Sequence, residues 1–326
     1  MADYKHFEVT ENQNGRFSRN IKTSPISELP QNDLLVKVSY SSLNYKDALS
    51  ASGNRGVTKN YPHTPGIDAA GIVVNSNSER FITGDEVIVT SYDLGMNTPG
   101  GFSEYISVPS AWAIKKPSNI TLRESMITGT AGLTAAMALD KIQTNGVFNG
   151  KIAVTGATGG VGLWALLLSK HLNYETVAIS RKIDFADNFD KLSVNEKIFD
   201  FEINQKPLAK PAFEAAVDTV GGDILGQLLK LTKPNGSVAV CGMAASPILN
   251  TTVFPFILRG INLLGIDSAE ATQQWREHLW SKLGNEWKLD FPEWLVHEIG
   301  LNQLENSIEI MLKGEHFGRT IISLIK

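Results

Sequence analysis

The residues best suited to chemistry lie in two short runs, Val154-Thr-Gly-Ala-Thr-Gly-Gly-Val-Gly162 and Ser180-Arg-Lys182. Ala157, Gly159 and Gly162 fall on the spacing G-x-G-x-x-G, with alanine in the first place. An apolar run ends at Val154 and a helical pattern begins near Val161. A turn in that position lets backbone approach a pyrophosphate, whose charge the free N–H groups and dipole of the helix start favour. NAD-binding units usually end the next strand with an acidic residue for the ribose hydroxyls. Here that place holds a hydroxyl and two cations, Ser180, Arg181 and Lys182, which suit a 2'-phosphate: Arg181 as a bidentate fork, Lys182 as a point charge. The pattern predicts a dinucleotide site that prefers NADPH. The same Ser-Arg-Lys run, with Asp184 close by, also reads as a solvated turn.

These residues need a sheet to hold them. Strands are expected near 152, 176, 198, 215 and 237, alternating with helices that include 131–141 and 163–172, a pattern that argues for a doubly wound parallel sheet. Turns at the carboxyl ends of such strands, here Thr219-Val-Gly-Gly222 and Cys241-Gly-Met-Ala-Ala245, are where ligands bind. Before about Leu122 the chain is different, with short strands at 34–38, 70–74, 86–89 and 103–108 separated by glycine and proline turns, as in a small β-barrel-type domain. Toward the C-terminus, helices are expected over 273–283 and 302–313 and a strand over 321–324. Trp275, Trp280, Trp287 and Trp294 are expected to pack in a core or interface rather than to cage a ligand.

Composition narrows the partners. The chain has 326 residues, 42% of them hydrophobic, enough for two domains, and a net charge of −4, which gives no footprint for nucleic acid. No apolar run is long enough for a membrane helix, and the start, Met-Ala-Asp-Tyr-Lys-His, lacks a signal-peptide core, so a cytoplasmic protein is expected. Cys241 is the single cysteine, which excludes an internal disulfide or a cysteine-built zinc site. It reads as a small buried hydrophobe at a strand end. The six histidines show no ligand spacing, and no metal is expected. The apolar run Asn262-Leu-Leu-Gly265 suggests an edge strand that pairs across a two-fold axis, so a homodimer is expected.

Five further segments resemble one family. Ser41-Ser-Leu-Asn-Tyr-Lys-Asp47, Thr64-Pro-Gly-Ile-Asp-Ala-Ala-Gly71, Gly100-Gly-Phe-Ser-Glu-Tyr105, Gly129-Thr-Ala-Gly-Leu-Thr-Ala135 and Val253-Phe-Pro-Phe-Ile-Leu-Arg259 are similar to the zinc-free branch of the medium-chain dehydrogenase/reductase superfamily. That branch contains quinone oxidoreductases and NADPH-dependent acryloyl-CoA reductases. The resemblance implies an α/β fold with a GroES-like β-barrel-type catalytic domain over 1–122 and 270–326 and a Rossmann NADPH-binding domain over 123–269.

Zinc members of the superfamily bind metal through a cysteine near Asn44 and a histidine where this chain has Ile67, so the resemblance implies chemistry without a Lewis acid. An NADPH enzyme of that kind suits an electron-poor alkene, whose carbonyl activates the β-carbon for hydride attack. Tyr45 and Asn44 are the catalytic candidates. Tyr45 either donates a proton or packs on the nicotinamide while water donates. The resemblance also assigns Thr134, Thr158, Gly159, Gly160 and Val161, with Ser180, Arg181 and Lys182, to the cofactor, and places Met243, Ile257, Ser268 and Arg319 near its nicotinamide half. Relatives often have glycine where Arg181 stands, which shifts the phosphate contacts by one residue.

The expected activity is NADPH-dependent reduction of an enoyl thioester, a quinone or an enone. Coenzyme A phosphates would look to Arg55, Lys59 or Lys116, which also read as solvated surface charges. The competing function is a non-catalytic NADPH-binding structural or sensor protein of the same fold.

Overall fold

The computed structural model describes residues 3–325. One compact unit runs to Thr130 and resumes over Ala269–Asn285 and from Asp290 onward; the other comprises Ala131–Ser268 and Glu286–Leu289.

The first unit opens on an antiparallel hairpin of β1 (Asp3–Glu11) and β2 (Phe17–Pro25). Most of β2 is exposed, and without apolar alternation the sequence pattern does not announce this pair. Next come β3 (Leu34–Ser42), α1 (Tyr45–Ala51), β4 (Asp68–Ser76), β5 (Glu86–Thr90), β6 (Tyr105–Val108) and β7 (Ala113–Lys115). Helix α2 (Leu122–Thr144) begins well ahead of the expected Ala131. Its start is fixed by reciprocal bonds in which Glu124 N donates to Thr121 Oγ1 and Thr121 N donates to Glu124 Oε2. Gly129 breaks the helix with φ 51° and ψ −159°.

In the second unit β8 (Lys151–Thr155), β9 (Glu175–Ile179), β10 (Glu196–Ile198), β11 (Phe213–Asp218), β12 (Thr232–Val240) and β13 (Asn262–Gly265) form one parallel sheet in the order β10-β9-β8-β11-β12-β13. This is the dinucleotide-fold order, and it reverses between β8 and β11. Ile152, Ala153 and Val154 are fully buried, as a central parallel strand requires. The connections carry α3 (Gly160–His171), α4 (Ala186–Lys191), α5 (Gly222–Leu231) and α6 (Phe254–Arg259). Leu225, Leu228 and Leu229 of α5 pack into a core with Ala153, Val177, Ala216 and Val238.

The first unit is completed by α7 (Gln273–Gly284), β14 (Val296–Ile299), α8 (Leu304–Leu312) and β15 (Arg319–Ser323). Its seven-stranded sheet runs β14-β15-β3-β4-β5-β7, with β6 also on β3. Pairing of Ile321 with Ser42 brings Arg319 beside the end of β3. Trp280 and Trp287 are buried, whereas Trp294 is exposed and stacks on Phe317. Among the described residues no helix is long and apolar enough to cross a membrane.

Candidate active site

In the first unit the segment from Ser42 to Asp47 leaves β3 and enters α1, and buried polar side chains lock it in place. Asp47 is fully buried at the third position of α1, where Oδ2 accepts from Asn44 N at 2.8 Å and Oδ1 from Ile67 N at 2.8 Å. Asp68, also fully buried, begins β4. Its Oδ2 accepts from Ser42 Oγ (2.6 Å), Asn44 Nδ2 (2.8 Å) and Thr130 N (2.9 Å), and its Oδ1 from Thr130 Oγ1 (2.6 Å). Thr130 spends its hydroxyl proton on Asp68, so the 2.9 Å contact with Ser91 Oγ runs from Ser91 to Thr130.

Two buried carboxylates need a cation, and Arg319 supplies it. Its side chain is buried, with Nε donating to Ile127 O (2.9 Å), Nη2 to Ser42 Oγ (3.0 Å) and Nη1 to Asn44 Oδ1 (3.3 Å). Ser42 Oγ therefore relays between guanidinium and Asp68. Burial, and then the charge of Asp68, push the Asp47 carboxyl up to about 7. At Gly129 the left-handed backbone and the crowding act together: a Cβ there would lie 2.6 Å from Asp68 Oδ2 and 2.8 Å from Ser42 Oγ.

Of the catalytic candidates, Asn44 is half-buried with its amide held at both ends, and Tyr45 is 55% exposed. The donor set does not fit zinc. Ile67 is buried and carries no donor atom, and the Asn44 amide is committed to Asp68 and Arg319. Among the described residues no group of three or more His, Cys, Asp or Glu side chains is placed to hold a metal.

In the second unit the glycine turn lies at the carboxyl end of β8, at the switch in strand order. Its tight bend is made by Gly156, not at Ala157 where the spacing put it: Gly156 has φ +58°, and a Cβ there would come 2.1 Å from Thr219 Oγ1. Ala157 is simply buried. Gly159 caps α3 in an extended conformation and has no side chain with which to cover the N–H groups of the helix start. A Cβ on Gly159 would have only Gly156 O nearby, at 3.4 Å, whereas one on Gly162 would meet that oxygen at 2.4 Å. The turn thus packs closely on the helix at Gly162 and is open at Gly159, which fits a bound pyrophosphate. Thr158 is buried, and Gly160 and Val161 are half-buried in the first turn.

Ser180 follows the last residue of β9, and its Oγ accepts from Lys182 N at 3.1 Å. Arg181 is exposed. The Lys182 amine sits 5.5 Å from the Phe185 ring centroid, and burial, then Arg181 beside it, hold it below its ordinary value. Thr134 and Ser268 meet, Thr134 Oγ1 donating to Ser268 Oγ at 2.7 Å. Met243 and Ile257 are 70% and 69% exposed. Arg55 forms an ion pair with Glu11 and Lys116 with Glu86.

The motifs contain Asp47 and Asp68 without giving them a role, and Asp218, just ahead of Thr219-Val-Gly-Gly222, is not singled out at all. The available signal was an acidic residue at the margin of an apolar segment, as in Asp68-Ala-Ala-Gly71 and Ala215-Ala-Val-Asp218.

Comparison with known proteins extends along the chain. Residues 30–118 match the alcohol dehydrogenase GroES-like domain and residues 160–284 the zinc-binding dehydrogenase family. A Bacillus subtilis protein named as a quinone oxidoreductase, YhfP, is 40% identical over 94% of this chain and 95% of its own length. Its crystal structure with NAD bound has a TM-score of 0.94 and 38% identity, covering 99% of this chain and 100% of that one. The acrylyl-CoA reductase AcuI of Ruegeria pomeroyi is 35% identical over 96% of each chain. The yhdH oxidoreductase of Salmonella enterica, crystallised with NADP, has a TM-score of 0.95 and 34% identity, covering 98% of this chain and 100% of that one.

Proposed function

We propose a function from one premise: the chain belongs to the medium-chain dehydrogenase/reductase superfamily, in the branch of the YhfP and AcuI relatives. It is an NADPH-dependent oxidoreductase that reduces a carbon–carbon double bond conjugated to a carbonyl, in an acryloyl-CoA-like thioester, a quinone or an enone. The observation that carries this reading is the glycine turn at the sheet's switch point, open at Gly159 and followed at the next strand by Ser180, Arg181 and Lys182.

NADPH, when bound, supplies a hydride to the β-carbon of the substrate. Thr158, Gly159, Gly160 and Val161 would hold its pyrophosphate, and Ser180, Arg181 and Lys182 its 2'-phosphate. Thr134 is a proposed cofactor contact, and Met243, Ile257, Ser268 and Arg319 are the proposed residues near the nicotinamide half. The substrate carbonyl takes up negative charge as the hydride arrives and needs donors, and its α-carbon then takes a proton. Tyr45 and Asn44 are the proposed catalytic pair, with the exposed phenol or a water as the proton source. Arg319 acts behind Asn44, holding its amide oxygen. No step passes through a metal.

Arg181→Ala tests the cofactor assignment. The ratio of kcat/KM with NADPH to that with NADH is expected to fall by roughly 1.5 to 3 kcal/mol, the range for a hydrogen bond to a charged group. Equal losses with both cofactors would show that Arg181 does not read the 2'-phosphate. Acryloyl-CoA and 1,4-benzoquinone, each followed through nicotinamide absorbance, separate the substrate classes, and oxidation of NADPH by neither removes both.

The proposed assembly is a homodimer. Strand β13 ends its sheet, and just before it in the chain Val253, Phe254 and Leu258 expose apolar side chains for a second copy to cover. A monomer in analytical ultracentrifugation at micromolar concentration removes this part. The cytoplasm is the proposed compartment, because a chain with one cysteine gains nothing from an oxidising one; recovery of the native protein from outside the cytoplasm overturns it.

A further inference from the structure

The glycine turn does not hold its shape alone. Asp218, fully buried at the end of β11, stands directly behind it. Asp218 Oδ1 accepts from Thr155 Oγ1 at 2.6 Å, and Oδ2 accepts from Gly221 N at 2.8 Å. Thr155 and Thr219 close the same knot from the other side: Thr219 N donates to Thr155 Oγ1 (3.1 Å) and Thr219 Oγ1 donates to Thr155 O (3.0 Å). A third turn joins through backbone, with Cys241 N donating to Asp218 O at 2.9 Å and Ala245 N to Val220 O at 2.8 Å. The contact is tight, since a Cβ on Gly242 would lie 2.2 Å from Thr219 O. The Asp218 carboxylate therefore ties the end of β8 to the turn after β11, and backbone bonds tie that turn to the one after β12.

We propose that Asp218 is a positioning residue for the cofactor: its carboxylate clips the start of the glycine turn to the turn after β11, whose backbone holds the loop that carries Met243. The inference rests on the reading of this sheet edge as the NADPH site. A carboxylate is a poor choice near a phosphate on electrostatic grounds alone, because like charges repel. Burial raises the Asp218 carboxyl above its usual range, a further cost of placing an acid there. Geometry is what it offers in return. A carboxylate accepts from hydroxyl and backbone N–H at once, and here it joins Thr155 at the end of β8 to Gly221 in its own turn. Thr155 is equally specific, because its hydroxyl donates to Asp218 while accepting from Thr219 N.

The test uses the full chain and three variants, Asp218→Asn, Thr155→Val and Thr155→Ser, with NADPH and NADH binding read from nicotinamide fluorescence and kcat measured at saturating NADPH. Asp218→Asn and Thr155→Val are expected to raise the NADPH Kd about tenfold, the effect of one hydrogen bond to a charged group. Thr155→Ser, which keeps the hydroxyl, is expected to restore the parental Kd. The ratio of NADPH to NADH affinity stays at its parental value throughout, since the clip does not touch the 2'-phosphate. If Asp218→Asn does not fold, Thr155→Val carries the test. A folded Thr155→Val with parental Kd for NADPH and a lowered Tm reduces the clip to a stabilising contact and overturns the proposal. Failure of the parent protein to bind NADPH overturns the functional reading itself, and the positioning role with it.

Discussion

Arg319→Met is expected to cost the fold about 3–5 kcal/mol, the range for breaking a buried charge pairing by removing one partner. The guanidinium lies buried behind α1 and is the cation facing the fully buried Asp47 and Asp68. Without it, Ser42 Oγ and Asn44 Oδ1 lose a donor and two carboxylates lose their counter-charge. Urea denaturation measures the loss. Asp68→Asn in the same background recovers part of it, because neighbours in one network do not add. The loss also grows with pH. Asp47 already titrates near 7, above its unfolded value, so its contribution is intact at low pH and declines as pH rises through that value. Removing the cation steepens the decline, and Arg319→Met suffers more at pH 8 than at pH 6. A variant as stable as its parent at both pH values would leave the carboxylates balanced by something other than Arg319.

Two neighbouring glycines are expected to fail in opposite ways. Gly159 has φ −80° and ψ 165°, which any residue adopts, and the nearest atom to an added Cβ is 3.4 Å away. Gly159→Ala should melt with its parent yet bind NADPH at least tenfold more weakly, roughly 1.4 kcal/mol, because the methyl group fills space the pyrophosphate needs. Gly162→Ala instead drives a methyl against Gly156 O at 2.4 Å and Ala157 Cα at 2.9 Å, both backbone. Its expected loss is in stability, about 1–3 kcal/mol for overpacking, visible as a lowered Tm with no ligand present. Parental NADPH affinity in Gly159→Ala would move the phosphate away from this turn.

These outcomes trace back to what the sequence could and could not carry. The apolar run at Ile152–Val154 reads as a buried parallel strand because local composition dictates it, and β8 occupies Lys151–Thr155. The start of α3 lies within a residue of where the helical pattern begins. Gly156 was hidden in plain view: the G-x-G-x-x-G spacing drew attention to Ala157, while the reason for a glycine one place earlier is a hydroxyl on Thr219, far along the chain. The Asp47–Asp68–Arg319 network was illegible for the same reason. Its members come from β3, α1, β4, α2 and β15, and only the pairing of β15 with β3 puts the last of them beside the first. Asn44 and Arg319 were each marked out by motif, but nothing local says that one donates to the other.

Cys241 follows from the same sheet edge. Its thiol, half-buried against Asp218 O, is pushed up to about 12 by burial and then by the Asp218 charge. Only the thiolate attacks electrophiles, so a sulfhydryl held that far from ionising is chemically silent while the three turns stay fastened. Enones and quinones alkylate thiolates, so the one thiol of a reductase for such substrates stands in its unreactive form. Burial at the sheet edge, and then the carboxylate that arranges the cradle, keep that thiol protonated.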